Sequence, residues 1–438
     1  MIDSATEQST DSNLAGLRLS LSFDLRRIVS TLRSLDGINR NDRIWGLLVG
    51  AGGPLFGSLL SFLVWIPFVW NVISTAMGRY PLRIGRAAMA CTVVAGLYGM
   101  VELGSAIAHS GLASWRFWPN FILFLSPFFF FRRLRLSDTE ALLDVFVLGA
   151  GFSVIIAAPV AAYEAFWLSN RAEAFCGNPN IFAVMSAVFG SIGALNMMAP
   201  CNRRRWLGVL SFFAMLFCVG LSERRALWLA IPVLTAIIIW AVANAVPKRT
   251  FRRGAIAIVA FFILAGALGA GQIAQRFGLL SEDLSKIETL GIYDSSTGRR
   301  ILMLKGGWEA VKEAPIAGYG IVERMNALRA HLPPDTWSLV GYTHPHNGFL
   351  AALLDAGVFG LVSLVALLSA PVLIAATAPR DHLWRLRLAV GMILTTCYAT
   401  SGLFGILFQH DLMDSAFVVT LIIIVASVAE ASVRQARE

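Results

Sequence analysis

IWGLLVGAGGPLFGSLLSFLVWIPFVWNVIST, residues 44–75, decides how this chain is threaded. A helix that crosses a bilayer needs about 20 mostly apolar residues. The stretch is too long for one crossing and short for two, and Gly50, Gly52, Gly53, Pro54 and Pro67 interrupt it. The charges around it arbitrate. Arg-rich segments lie at 18–43, 79–86, 132–135, 203–205, 248–253 and 380–387 and in the final RQARE. Basic residues of membrane proteins collect on the cytoplasmic side. If 44–75 crosses twice, every one of these segments lands there. If it crosses once, Arg79, Arg83 and Arg86 land outside and the alternation fails. Two short crossings are therefore expected.

Outward from that hairpin the pattern repeats. Further apolar runs cover 86–109, 118–131, 139–162, 181–199, 206–222, 226–246, 254–272, 348–376, 386–409 and 412–433. Only 14% of the 438 residues are charged and 57% are hydrophobic, against about 25% charged in a soluble domain. Mean hydropathy is +0.68. The expected fold is all-α: a polytopic transmembrane helical bundle of about twelve spans, both termini cytoplasmic, with one long and partly helical outer loop. The divisions are 1–43, a cytoplasmic N-terminal segment disordered to residue 15 and then amphipathic on the membrane surface; 44–272, spans one to nine; 273–347, the outer loop; 348–433, spans ten to twelve; and 434–438, a cytoplasmic tail. No cleavable signal peptide is read, because the first forty residues are polar and contain Arg.

The net charge of +9 sits in short clusters between apolar runs, so it reports topology and not nucleic-acid binding. Cys91, Cys176, Cys201, Cys218 and Cys397 show no CxxC or Cys/His spacing and read as small buried hydrophobes.

Loop 273–347 is the one long hydrophilic stretch between spans, and loops of that length inside a compact fold are commonly functional. Trp308, Trp337 and the helical spacing of apolar residues around Ile301–Val311 predict order, with a helix over 299–312 and a turn at Pro315, Gly318 and Gly320. At its end stands Thr343-His344-Pro345-His346-Asn347. There His346 and Asn347 open the next span, where the positive end of a helix disfavours a cation. That keeps His346 neutral and able to take a proton. Asn347 as a simple N-cap with interfacial histidines is the equal alternative, and a His-x-His metal pair is weaker for want of a third ligand.

Two arginine pairs lie on the same outer side: Arg224-Arg225 in LSERRALWLA, and Arg299-Arg300 at the start of the loop helix. Both placements oppose the local electrostatics unless an anion binds. Arginine suits bidentate phosphate contacts, although lipid phosphate or loop carboxylates would serve as partners equally well. Of the carboxylates within spans, Asp144 reads as interfacial, Asp355 lies two to three helical turns below His346, and Glu102 has no assignment.

At these residues the chain resembles a known family. His346-Asn347, nine residues, then Gly357-Val358-Phe359-Gly360 is similar to the HN-x9-GxxG signature of bacterial O-antigen ligases and the related Wzy-type polysaccharide polymerases. Arg300, Leu304, Trp308, Pro315 and Gly318-Tyr319-Gly320 resemble the family's loop pattern, as do Gly177-Asn178-Pro179-Asn180 and the arginine between Ser222 and Ala226. The likeness spans roughly residues 176–410. Leu304 stands where the family has an aromatic residue, and both arginine positions are doubled here. Spacing favours Arg225 and Arg300, with Arg224 and Arg299 as alternates.

The resemblance implies a GT-C-type membrane glycosyltransferase of the bacterial inner membrane, with its site facing the periplasm. It would move a glycan from undecaprenyl diphosphate to an acceptor hydroxyl with inversion, using neither nucleotide sugar nor metal nor other cofactor. A ligase takes lipid A–core as acceptor and a polymerase a second lipid-linked repeat unit. On that reading His346 is the base, Arg225 and Arg300 clamp the diphosphate, and Arg224, Arg299, Asn347, His344 and Asp355 line or orient the substrate site. A transporter of lipid-linked sugars is the competing class, and it has no need of a His-Asn site on one face.

Overall fold

The computed structural model describes residues 37–80 and 83–435. The N-terminal segment expected to be disordered and then amphipathic lies, up to residue 36, outside them. Among the described residues all regular structure is helical. In chain order the helices are α1 (Gly37–Phe56), α2 (Leu59–Ala76), α3 (Arg86–Ser110), α4 (Trp118–Leu123), α5 (Ser126–Leu134), α6 (Thr139–Phe166), α7 (Pro179–Ala194), α8 (Asn202–Leu221), α9 (Ala230–Val242), α10 (Lys248–Leu290), α11 (Ser296–Glu313), α12 (Gly320–Ala330), α13 (Gly348–Ala376), α14 (Trp384–Phe404) and α15 (Asp411–Gln435).

The predicted crossings fall on these helices, with 118–131 divided between α4 and α5. Nine helical stretches of the described residues are long and apolar enough to cross a membrane. The sequence reading counts more for identifiable reasons. Helix α3 and its return through α4 and α5 form one 49-residue stretch, Arg86–Leu134. The return is real: Tyr98 stacks edge-on against Phe124 at 4.8 Å, and Arg135 donates back to the Arg83 carbonyl. Helix α1 carries polar residues in its first turns, and the count takes in only described residues, which leave out part of the apolar stretch of α10.

The 44–75 stretch does cross the bundle twice. Asp42 and Arg43 pair with Arg133 and Asp138, both at 2.8 Å, at one end. Gly57, between α1 and α2, abuts the Phe175 carbonyl at the other. Helix α2 then brings the chain back to Tyr80, whose carbonyl accepts from Arg132 at 2.7 Å. The glycines that make the sequence ambiguous permit the contact: a Cβ on Gly149 of α6 would lie 2.9 Å from the Ala51 nitrogen of α1. Small residues let two apolar helices approach to backbone contact.

The Arg-rich segments meet at one end of the bundle. Arg204 holds Asp144 at 2.8 Å, Arg205 donates to Ala245, and Arg385 to Trp240. The segments around 109, 171–180, 222–225, 343–347 and 401–410 meet at the opposite end. The separation the charge pattern demands is thus present in the packing. Helices α7 and α15 form the centre, nearly wholly buried along their apolar lengths.

Residue 273, the expected start of the outer loop, lies inside α10, which continues to a left-handed cap at Gly291. The loop helix covers 296–313, slightly longer than predicted. Ser295 caps it, accepting from the Gly298 nitrogen. Its inner face, Leu302, Met303, Ala310 and Val311, packs with Met325 and Leu328 of α12 and with Leu350 and Leu354 of α13. This small second core fastens the loop over one end of the bundle.

Candidate active site

Helix α13 is broken. Ala356 and Gly357 leave helical geometry, and Gly357 takes φ of 61° and ψ of −148°, a region essentially closed to side-chain-bearing residues. The turn after α11 fills the break. Tyr319 N donates to the Leu354 carbonyl at 2.7 Å, and Val358 N to the Pro315 carbonyl at 2.8 Å, so backbone groups freed by the break find partners in the turn. Gly318, at φ of 67°, lies against this backbone, with no room for a Cβ. The motif glycines 318 and 357 are therefore two halves of one joint.

Above the joint, Asn347 caps α13, its side chain accepting from Phe349 N at 3.0 Å and Leu350 N at 2.9 Å, while its amide donates to the Leu403 carbonyl. The capping reading of Asn347 thus holds, and it does not displace the histidine reading. His346, just before the cap, has φ of 52°, an uncommon state for a non-glycine residue that clusters at functional sites. Its N–H donates to His344 Nδ1 at 3.2 Å, which leaves the His344 proton on Nε2 in the neutral ring. The His346 ring stands edge-on between His344 at 4.2 Å and Tyr342 at 4.7 Å.

Both rings are held neutral. Burial, then the charges of Arg300 and Arg224, push His346 down to about 4. Burial, then His346, Arg324 and Arg224, push His344 down to about 3. The sequence position predicts neutrality from the helix terminus; desolvation and the arginines supply it here.

Of the four predicted arginines, Arg224 and Arg300 act on the His346 ring. Arg224 is 7% exposed. It donates to the Asn180 carbonyl at 3.0 Å and to Ser401 Oγ at 2.9 Å. Burial, then Arg300 and Arg171, lower it to about 10. Arg225, which spacing favoured, is exposed and opens the short turn 225–229. Arg299 donates to the Tyr342 hydroxyl at 3.4 Å. Among the described residues, no carboxylate lies within ion-pair distance of Arg224 or Arg300. The Gly177–Asn180 motif has a clear local role. Asn178 caps α7, accepting from Asn180 N at 2.8 Å, and the Asn180 carbonyl then receives Arg224.

A family model described as O-antigen ligase matches residues 210–365. This matched domain is similar to the O-antigen ligases. Among curated proteins, none matches. The domain holds every predicted site residue, from Arg224 to Asp355, together with both halves of the glycine joint. It ends short of the wider likeness at 176–410, so Asn180 and Ser401, which hold Arg224, come from flanking sequence.

Beneath the histidines of the matched region lies a buried polar group that includes a residue the sequence reading passed over. Arg324 of α12 pairs with Asp355 at 2.8 Å, with 6% and 1% of their side chains exposed. It also donates to Gln409 Oε1 at 2.9 Å and to the Thr343 carbonyl at 3.2 Å, and Gln409 Nε2 donates to Asp355 at 3.0 Å. Asp355, expected to line or orient the substrate site, is thus engaged from within the protein. A cavity of about 20 Å³, room for one water, is lined by Glu102, Arg324, His344 and Gln409 among others. Among the described residues no group of three His, Cys, Asp or Glu side chains is arranged to hold a metal ion. Arg171 was also passed over; it donates twice to the Ser222 carbonyl, at 3.0 and 2.7 Å, and so holds the turn that carries Arg224. Arg171 and Arg324 lie in segments where neither periodicity nor a recognised motif marks them; the one clue was an arginine on the outer side of the membrane.

Proposed function

We propose that this protein is a membrane glycosyltransferase that moves a glycan from a lipid diphosphate, undecaprenyl diphosphate by the family resemblance, onto an acceptor hydroxyl at the site-bearing face of the bundle. In a bacterium that face is the periplasmic side of the inner membrane. The observation that carries this reading is a neutral His346 under the charge of both Arg300 and Arg224, with Arg224 held by neutral oxygens alone.

The reaction has a weak nucleophile and an anionic leaving group. As the glycosyl bond breaks, negative charge grows on the diphosphate, and two arginines aimed at that position stabilise the transition state more than the ground state. Arginine offers a planar fork that matches two phosphate oxygens. A neutral imidazole at His346 takes the acceptor hydroxyl proton as the new bond forms, a contribution of about 10²- to 10⁴-fold. Attack opposite the leaving group inverts the anomeric carbon. His344 receives the His346 N–H and Tyr342 flanks the ring, so the imidazole is oriented on two sides. Nothing in this scheme requires a metal or a nucleotide sugar.

The matched family description favours lipid A–core as the acceptor. The test is transfer by purified protein in lipid, with a diphosphate-linked oligosaccharide donor and two acceptors in separate arms: lipid A–core, and a second lipid-linked repeat unit. Product in the first arm, absent with His346→Ala, supports the ligase. Product only in the second arm makes the protein a polymerase. Full activity of a folded His346→Ala protein removes the base assignment, and loss of transfer on adding chelator removes the metal-free scheme.

A further inference from the structure

Segment 343–347 is pinned at both ends. At its far end Asn347 is the cap of α13 and reaches Leu403. At its near end the Thr343 carbonyl accepts from Arg324 Nη2. Between the pins, His346 is held at φ of 52°. Such a backbone state persists only where its surroundings over-determine it.

Arg324 is suited to hold that near end. It lies one turn into α12, just after the Gly318–Gly320 turn that fits the break in α13. Its Nη1 meets Asp355 and Gln409, which also bond each other and so close a triangle. Gln409 is itself strained, at φ of 70°, and its N–H is tied to Asp414. One guanidinium therefore joins four elements: the loop helix α12, the last turn of α13 before its break, the turn before α15, and the strand of backbone that carries the histidines. Unlike Arg224, which is held by neutral oxygens, Arg324 already has a carboxylate of the protein, Asp355, as its anion.

We propose that Arg324 is a positioning residue: anchored by Asp355 and Gln409, it fixes the Thr343 carbonyl and thereby sets where the His346 ring stands. This rests on His346 serving as the base of the proposed transfer. Lysine cannot substitute, because a single ammonium lacks the two separated nitrogens that reach Thr343 on one side and the Asp355–Gln409 pair on the other.

The test is Arg324→Lys in the full chain in lipid, read by transfer kinetics and by hydrogen–deuterium exchange of peptides covering 341–350. The expected result is a turnover about 10²-fold lower, since a displacement of about 1 Å at a reacting group costs that much. The donor KM should move less than about threefold, and exchange at 341–350 should rise while the central helices keep their protection. Gln409→Leu removes one anchor without leaving a charge unpaired, and it serves if the lysine variant does not accumulate; it should show the same pattern at about tenfold. Unchanged exchange at 341–350, or a raised donor KM with turnover intact, overturns the proposal. If the wild-type protein transfers nothing from a diphosphate lipid, the proposed function falls, while the exchange comparison still decides whether Arg324 orders this segment.

Discussion

Gly357 and Pro315 meet backbone to backbone: a Cβ on Gly357 would stand 2.7 Å from the Pro315 carbonyl oxygen and closer still to that of Ile316. The break in α13 and the turn after α11 have to be made together. Gly357→Ala adds both a left-handed backbone penalty of about 1–2 kcal/mol and an overlap costing about 1–3 kcal/mol. The variant should melt at clearly lower temperature in detergent and lose most transfer, because the loop that carries Arg300 and Arg324 no longer docks. Thermal unfolding followed by intrinsic fluorescence measures the first effect. A melting curve like that of the wild type would show that the joint tolerates a side chain.

The two arginines of the 224–225 pair should separate cleanly. Arg224→Ala removes a buried donor whose charge acts on His346, and the loss of one such donor at a site of developing charge costs about 10²–10³ in turnover. Arg225→Ala alters an exposed residue and should stay within about threefold. Initial rates for the two variants at saturating donor decide the matter, and equal losses would mean that both contact the substrate.

Acid should act late on the empty enzyme and earlier on the loaded one. With its folded value lowered to about 4, His346 remains neutral and competent as pH falls from 7 to 5, so kcat/KM holds and then drops on approach to pH 4. A bound diphosphate offsets Arg224 and Arg300, two named causes of that shift, and moves the value back toward 6.5. The acid limb of kcat should therefore lie at higher pH than that of kcat/KM. Binding would also strengthen the base. Folding stability responds with a definite sign: the unfolded histidines take up protons near pH 6.5 while the folded ones do not, so stability is full above that pH and declines as pH falls from there toward 4. Coincident limbs in kcat and kcat/KM would place the arginines' charge elsewhere.

His346→Gly offers a test of strain against use. Glycine is at ease at φ of 52°, so the variant should gain up to about 1 kcal/mol in unfolding free energy, while transfer falls by the 10²- to 10⁴-fold contributed by a general base. Chemical denaturation alongside activity reads both. A variant destabilised by the change would mean that the imidazole packs here for structure.

Apolar length and arginine placement were enough to thread the bundle through 44–75, because both are averaged over many residues and small errors cancel. The end of the bundle that bears the site followed from the same averages, and the histidine segment from its position at a span start. Which of Arg224 and Arg225 turns inward depends on the way a turn of a few residues faces; spacing carries no such information, and Arg224 is held inward by Asn180 and Ser401, which are 44 and 177 residues away. Arg324 was hidden for a related reason: its partners Asp355 and Gln409 are 31 and 85 residues distant. Residue 273, where hydropathy ends, falls within a helix because helix propensity continues past it. The Gly318 and Gly357 motif was recognised as a pattern, but only the fold shows that each glycine admits the backbone of the segment that carries the other.

Helix α15 lies at the centre, and it leaves the ribosome after every helix packed around it. Until it inserts, the surfaces that will cover Leu412, Phe417 and Leu421 face lipid or one another, and Asp414 is not yet there to hold Gln409. The triangle that anchors the histidine segment gains its outer support, from Asp414 to Gln409, only at that late step. A nascent chain halted before residue 411 would already carry Arg224, Arg300 and His346 while the Gln409 N–H still lacked its partner on α15, so the last helix to be made completes the support beneath the histidine segment.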